Sequence, residues 1–159
     1  MAAPALVTLP HFTVTDAWSL GSHIRTLVNT SFPDRGVSIR IVTASNQIIF
    51  STVTSPGSSP DAETWLKRKI NTVLRYGVSS WAVGESMRAA GLPGKKLSEK
   101  VPGVDDGEYA VHGGAVPVCV EGVYGVVAVV AVSGLKQEED HQAAVDGLRW
   151  LKEQAGEEC

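Results

Sequence analysis

The side chains best suited to chemistry fall in three short stretches. In EYAVHGGAVPV, Glu108 to Val118, His112 stands directly before Gly113 and Gly114. Imidazole changes charge near neutral pH and ligates metals, and paired glycines let ligand atoms approach the backbone closely. The same glycines equally suit a turn or bulge in which the ring only packs. In QEEDHQ, Glu138 and His141 lie three residues apart at the start of a helical pattern, which lets them share a proton or a metal. Carboxylates also favour the positive end of a helix with no ligand at all. The third stretch is Lys67, Arg68 and Lys69, with Arg75 on the same predicted helix. Guanidinium groups fork onto carboxylates and phosphates, although a charged helix face is often simply solvated.

Other chemistry is not signalled. GLPGKK, Gly91 to Lys96, has the wrong glycine spacing for a phosphate loop and lacks its hydroxyl. There is no dinucleotide fingerprint, no nucleophile elbow and no HExxH helix. Cys119 falls within a strand-like run and reads as a small buried hydrophobe; with Cys159 so far away, no disulfide framework or zinc site is suggested.

These stretches need elements to position them. Asp16 is placed to cap a first helix that runs to Thr30, with Leu20, Ile24, Leu27 and Val28 on one side. VSIRIVTA and QIIFSTV alternate in strand fashion around Ser45-Asn46 and predict a hairpin. Ser59-Pro60-Asp61 marks the start of the helix that carries the basic stripe, and Leu66, Ile70, Val73 and Leu74 share its apolar face. A shorter helix begins at Ser79 or Ser80 and ends near Gly91. From Gly91 to Gly107 the composition is that of a surface loop, long enough for a lid or a contact arm. Strands are then expected at Tyr109 to His112, at Ala115 to Val120 and along GVYGVVAVVAVS, before a last helix with Val145, Leu148, Trp150 and Leu151 facing inward. The order is that of an α+β domain around one mostly antiparallel sheet. The last strand is apolar on both pleat faces, so both must be covered, by the chain's own helices or by another subunit.

The 159 residues suit one domain, 1–159, with a core at about 16–151. A composition 43% hydrophobic and 19% charged is that of a globular chain. The net charge of -3 offers no broad attraction for nucleic acid or anionic lipid. The opening MAAPALVTLPHF lacks the basic and apolar blocks of a signal peptide, and no span reaches transmembrane length, so a reducing cytoplasm is the expected compartment.

Taken together, WLKRKINTVLRYGVSSW, EYAVHGGAVPV and GVVAVVAVSGLKQEEDHQAAVDGLRWL resemble the GlcG/HbpS-like family of haem-binding or haem-degrading domains, over roughly Asp16 to Leu151. The resemblance implies a profilin-like α-β-α fold with about five strands flanked by helices, a homo-oligomer, and a small ligand such as haem. The positions that match are Arg68, Lys69 and Asn71 in the basic helix, His112, Gly113 and Gly114 in the loop, and Glu139, Asp140 and His141 at the last helix. The Gly91 to Gly107 stretch departs from the pattern. The expectation is thus a cytoplasmic oligomer that binds a small anionic ligand between the HGG loop and the basic helix. An interaction scaffold that uses the Gly91 to Gly107 loop, and a metal-assisted enzyme using His112, Glu139 and His141, stand as alternatives.

Overall fold

The computed structural model describes residues 7–157; residues 1–6 and 158–159, Cys159 among them, lie outside the described residues. In chain order the elements are β1 (Thr8–Leu9), α1 (Val14–Ser31), β2 (Ser38–Thr43), β3 (Ile48–Val53), α2 (Pro60–Tyr76), α3 (Ser80–Ala89), β4 (Ala115–Val120), β5 (Ala128–Ser133) and α4 (Gln137–Glu157), with a single 3₁₀ turn at Leu97–Glu99. The strands form one sheet in the order β1-β4-β5-β2-β3. The β1–β4 pair is parallel and the other three pairs are antiparallel.

The helix starts follow from local chemistry. The N-cap of α1 is Thr13, three residues before the expected Asp16: Thr13 Oγ1 accepts from the Asp16 amide at 3.1 Å, and Asp16 returns the contact to the Thr13 amide at 2.8 Å. Asp16 is thus the N3 member of a reciprocal capping box. Helix α2 begins at Pro60, as the Ser59-Pro60-Asp61 order predicts, and ends where Gly77 turns left-handed.

Helices cover the sheet on both sides. On one face Leu20, Ile24 and Val28 of α1 and Leu148 of α4 pack on Ile39, Ile41, Val118, Val130 and Val132. On the other, Leu66, Ile70 and Val73 of α2 pack on Val42, Ala115, Val129 and Ala131. The doubly apolar β5 is therefore enclosed by the chain's own helices, and its second face does not supply an oligomer surface. It is also shorter than the sequence pattern, since regular pairing begins only at Ala128, beyond Gly125 at φ +85°.

One expectation needs correction, and another gains detail. Tyr109 to His112 is not a strand, because α2 takes its polar backbone groups: the Ala110 amide donates to the Arg68 carbonyl at 3.1 Å, and the Ala110 carbonyl accepts from Thr72 Oγ1 at 2.7 Å. The Gly91 to Gly107 stretch is the expected surface loop, anchored to the domain at Leu97. Leu97 is buried with Val83, Met87 and Val111, while the Glu99 carboxylate gathers the amides of Gly94, Lys95 and Lys96.

Candidate functional site

Helix α2 divides the basic stripe among different surroundings, because successive residues point about 100° apart. Lys69 falls on the buried stripe with Leu66, Ile70 and Val73 and is 3% exposed. Its Nζ donates to Asp140 Oδ2 at 3.1 Å, to the Val132 carbonyl at 3.3 Å and to Ser133 Oγ at 3.4 Å. Asp140 Oδ1 accepts from the Leu135 amide at 3.0 Å. Burial draws the Lys69 pKa below the usual lysine value and pushes that of Asp140 above the usual carboxylate value, and each shift is opposed by attraction to the other group. The pair ties α2 to the start of α4 and does not present a free charge.

The HGG loop lies against this pair. A Cβ on Gly114, at φ +143°, would stand 2.3 Å from the Val132 carbonyl oxygen and 2.8 Å from Lys69 Nζ. One on Gly113 would stand 2.6 Å from the Gln137 carbonyl oxygen, 2.9 Å from Trp81 and 3.1 Å from His141 Cβ. The glycines therefore have a packing reason for being there: they let the loop lie against α2, α3, β5 and α4 together.

His112 is half-buried beside that contact, in an edge-to-face arrangement with Trp65, ring centroids 5.2 Å apart at 83°. Its Nδ1 is enclosed and has no hydrogen-bond partner. Burial, and then the cations Lys69, Arg68 and Arg88, lower its pKa below 6.5, so the ring is neutral at pH 7. Arg68 lies 4.5 Å over the Trp65 ring and donates through Nη2 to the Tyr109 carbonyl at 3.3 Å, while its Nε is enclosed without a partner. His141 is 8% exposed and stacks 5.8 Å from Trp81; burial, and then Arg149, lower its pKa, and its Nδ1 is likewise unpartnered. Arg88 lies over the Trp81 ring, 5.7 Å from its centroid.

Of the sequence-predicted residues, the fold thus gathers Arg68, Lys69, His112, Gly113, Gly114, Asp140 and His141. Asn71 is turned elsewhere, donating to the Glu108 carbonyl at 2.9 Å. Glu139 accepts from the Lys136 amide at 3.1 Å and lines a groove with Leu27 of α1 and Phe32 at its C-cap. Among the described residues no group of three or more His, Cys, Asp and Glu side chains is arranged to hold a metal ion, so His112, Glu139 and His141 do not form a metal centre. Cys119 is half-buried, and burial raises its thiol pKa, away from the reactive thiolate. Sequence reasoning missed Trp65 and Trp81. Their signal was position: Trp65 is one turn before Arg68, and Trp81 opens α3 behind the Ser79 cap.

A mostly antiparallel five-stranded sheet between α1/α4 and α2, with an HGG loop joined to a buried Lys–Asp pair, defines an α+β domain of the α-β-α type. The chain belongs to the family described as haem degrading protein HbpS-like, which matches residues 12–149. A UPF0303 protein of Streptomyces avermitilis is 43% identical over 142 residues, 89% of this chain and 82% of the relative. The UPF0303 protein YBR137W of Saccharomyces cerevisiae is 42% identical over 140 residues, 88% of this chain and 75% of the relative. The crystal structure of Ybr137w superposes with a TM-score of 0.86 at 40% identity, over 94% of this chain and 83% of that one. A PduOC:heme complex shares the fold with a TM-score of 0.67 at 14% identity, over 87% and 93% of the two chains. Among the described residues no helix is long and apolar enough to cross a membrane.

Proposed function

We propose that the surface formed by Trp65, Arg68 and His112 beside the HGG loop binds a small, flat, carboxylate-bearing ligand, with haem the first candidate. The observation that carries this reading is the state of His112. A neutral imidazole whose Nδ1 is enclosed without a partner is cheapest with Nδ1 bare and the proton on Nε2, because an unsatisfied buried donor costs about 1–3 kcal/mol. In that tautomer Nε2–H donates to an anionic oxygen. An imidazole that ligates iron needs the opposite arrangement, with the remote N–H held by an acceptor. The residues therefore fit the propionates of haem better than its iron.

Arg68 supplies the positive charge, braced on Trp65, and Trp65 offers a flat apolar wall. Lys69 and Asp140 act as the internal support that fixes the loop. Haem, when bound, would bring its own redox chemistry, and these residues would orient it. The family description and the haem complex of a fold relative support this choice of ligand. Titration of hemin into wild type and His112→Ala tests it: a shifted Soret band is expected with wild type and is weakened in the variant, and identical spectra would remove His112 from the site.

Self-association, which the family resemblance implies, is proposed through the outer face of α1, where Val14 is 70% and Trp18 67% exposed. Light scattering on Trp18→Ser tests this; the expected result is a smaller assembly than wild type, and an unchanged mass would reject that face. The cytoplasm remains the proposed compartment.

A further inference from the structure

A second cleft lies on the far side of α2 from the HGG loop. Among the described residues, α2 packs on β4, β5 and β2 and makes no contact with β3, so the edge strand is left uncovered beside the helix. The space is about 360 Å³. Its apolar wall is Val42, Ile70 and Ile48, the last 53% exposed.

Both signs of charge meet at this wall. Arg40 lines the cleft and is 7% exposed. Its Nε and Nη2 donate to Ser51 Oγ, each at 3.4 Å, and Nη2 pairs with the Glu63 carboxylate. Among the described residues its Nη1 has no hydrogen-bond partner, and it is not one of the enclosed orphan atoms. Glu63 and Ser51 hold the guanidinium in place, and Nη1 is left as a pre-oriented donor for an anionic group in the cleft. Lys67 and Glu108 also line the cleft, and among the described residues neither side chain forms an ion pair. The charged lining residues are Arg40, Lys67 and Glu108, and Arg40 is paired with Glu63 from outside the lining, so the cleft offers both cationic and anionic partners. A simple anion would meet Glu108 unfavourably, and a simple cation would meet Lys67.

We propose that this cleft binds a small aliphatic zwitterion, a free amino acid or dipeptide. Its carboxylate meets Lys67 and Arg40 Nη1, its ammonium meets Glu108, and its side chain lies on Val42, Ile48 and Ile70. The volume agrees: it sits at the small end of the roughly 300–1,000 Å³ usual for small-molecule sites, too small for a tetrapyrrole.

The test is an amide NMR titration of the full chain with leucine, with 4-methylpentanoate (no amine) and isoamylamine (no carboxylate) in parallel. Leucine is expected to give saturable shifts at Ile48, Lys67, Asn71 and Glu108, and each analogue to bind about tenfold more weakly, the loss of one charged hydrogen bond. Lys67→Ala and Ile48→Ser alter exposed side chains, so the fold is retained; each should weaken leucine by a similar factor. The proposal is overturned by the absence of saturable shifts at roughly 10 mM leucine, by equal binding of 4-methylpentanoate, or by leucine binding that neither variant changes.

Discussion

Replacing Lys69 with methionine removes one charge from a pair whose side chains are 4% and 2% exposed. The carboxylate of Asp140 would keep the Leu135 amide but lose the ammonium at Oδ2. Leaving one member of a buried pair alone costs about 3–5 kcal/mol. For a chain of this length each kcal/mol moves Tm by about 2–4 °C, so Lys69→Met should lower Tm by roughly 6–20 °C. Lys69→Met/Asp140→Asn removes the stranded charge and keeps an acceptor for the Leu135 amide, and should recover at least about half of that loss. A pH series adds a sign. Burial raises the Asp140 pKa and Lys69 opposes that rise, so without Lys69 the folded variant takes up the proton at higher pH than wild type does, and the deficit relative to wild type should shrink as pH falls from about 7 towards 4. Urea unfolding of the three proteins provides the assay. A Lys69→Met variant within about 1 kcal/mol of wild type, or a double variant less stable than the single, would refute the buried-pair reasoning.

Gly114→Ala should cost about 2–4 kcal/mol, since it adds a Cβ 2.3 Å from the Val132 carbonyl oxygen at a left-handed φ; thermal unfolding measures it. His112 and His141 should titrate below 6.5 by imidazole NMR. Because the unfolded chain then binds more protons, stability should fall as pH drops below 6.5 towards their folded pKa values. Thr13→Ala breaks the capping box and should cost about 1 kcal/mol by urea denaturation. Leu97→Ala should undock the 91–107 loop and make it cleavable by limited proteolysis while the sheet persists.

What the sequence disclosed was mostly local. Ser59-Pro60-Asp61 located the start of α2, and Ala115 to Val120 was a strand with the expected ends, because capping and period-two alternation depend on neighbouring residues. Tyr109 to His112 failed for a non-local reason: Arg68 and Thr72, some forty residues away, take the backbone groups a strand would have used. Lys69 had a usable signal. It falls among Leu66, Ile70 and Val73 at helical spacing, and a cation on an apolar stripe must find a buried partner. The partner, Asp140, was visible only as one of three acidic residues opening α4, where the helix dipole explained all three equally well. Trp65 and Trp81 carry no motif, and their place beside His112 and His141 comes from how α2 and α3 pack.

The central claim is that Arg68 and His112 recognise carboxylates. The most direct measurement compares metal-free protoporphyrin with its dimethyl ester by fluorescence titration of wild type and Arg68→Ala. The free acid should bind wild type about tenfold or more tightly than the ester, and the advantage should largely vanish in Arg68→Ala. Equal binding of acid and ester to wild type would contradict it.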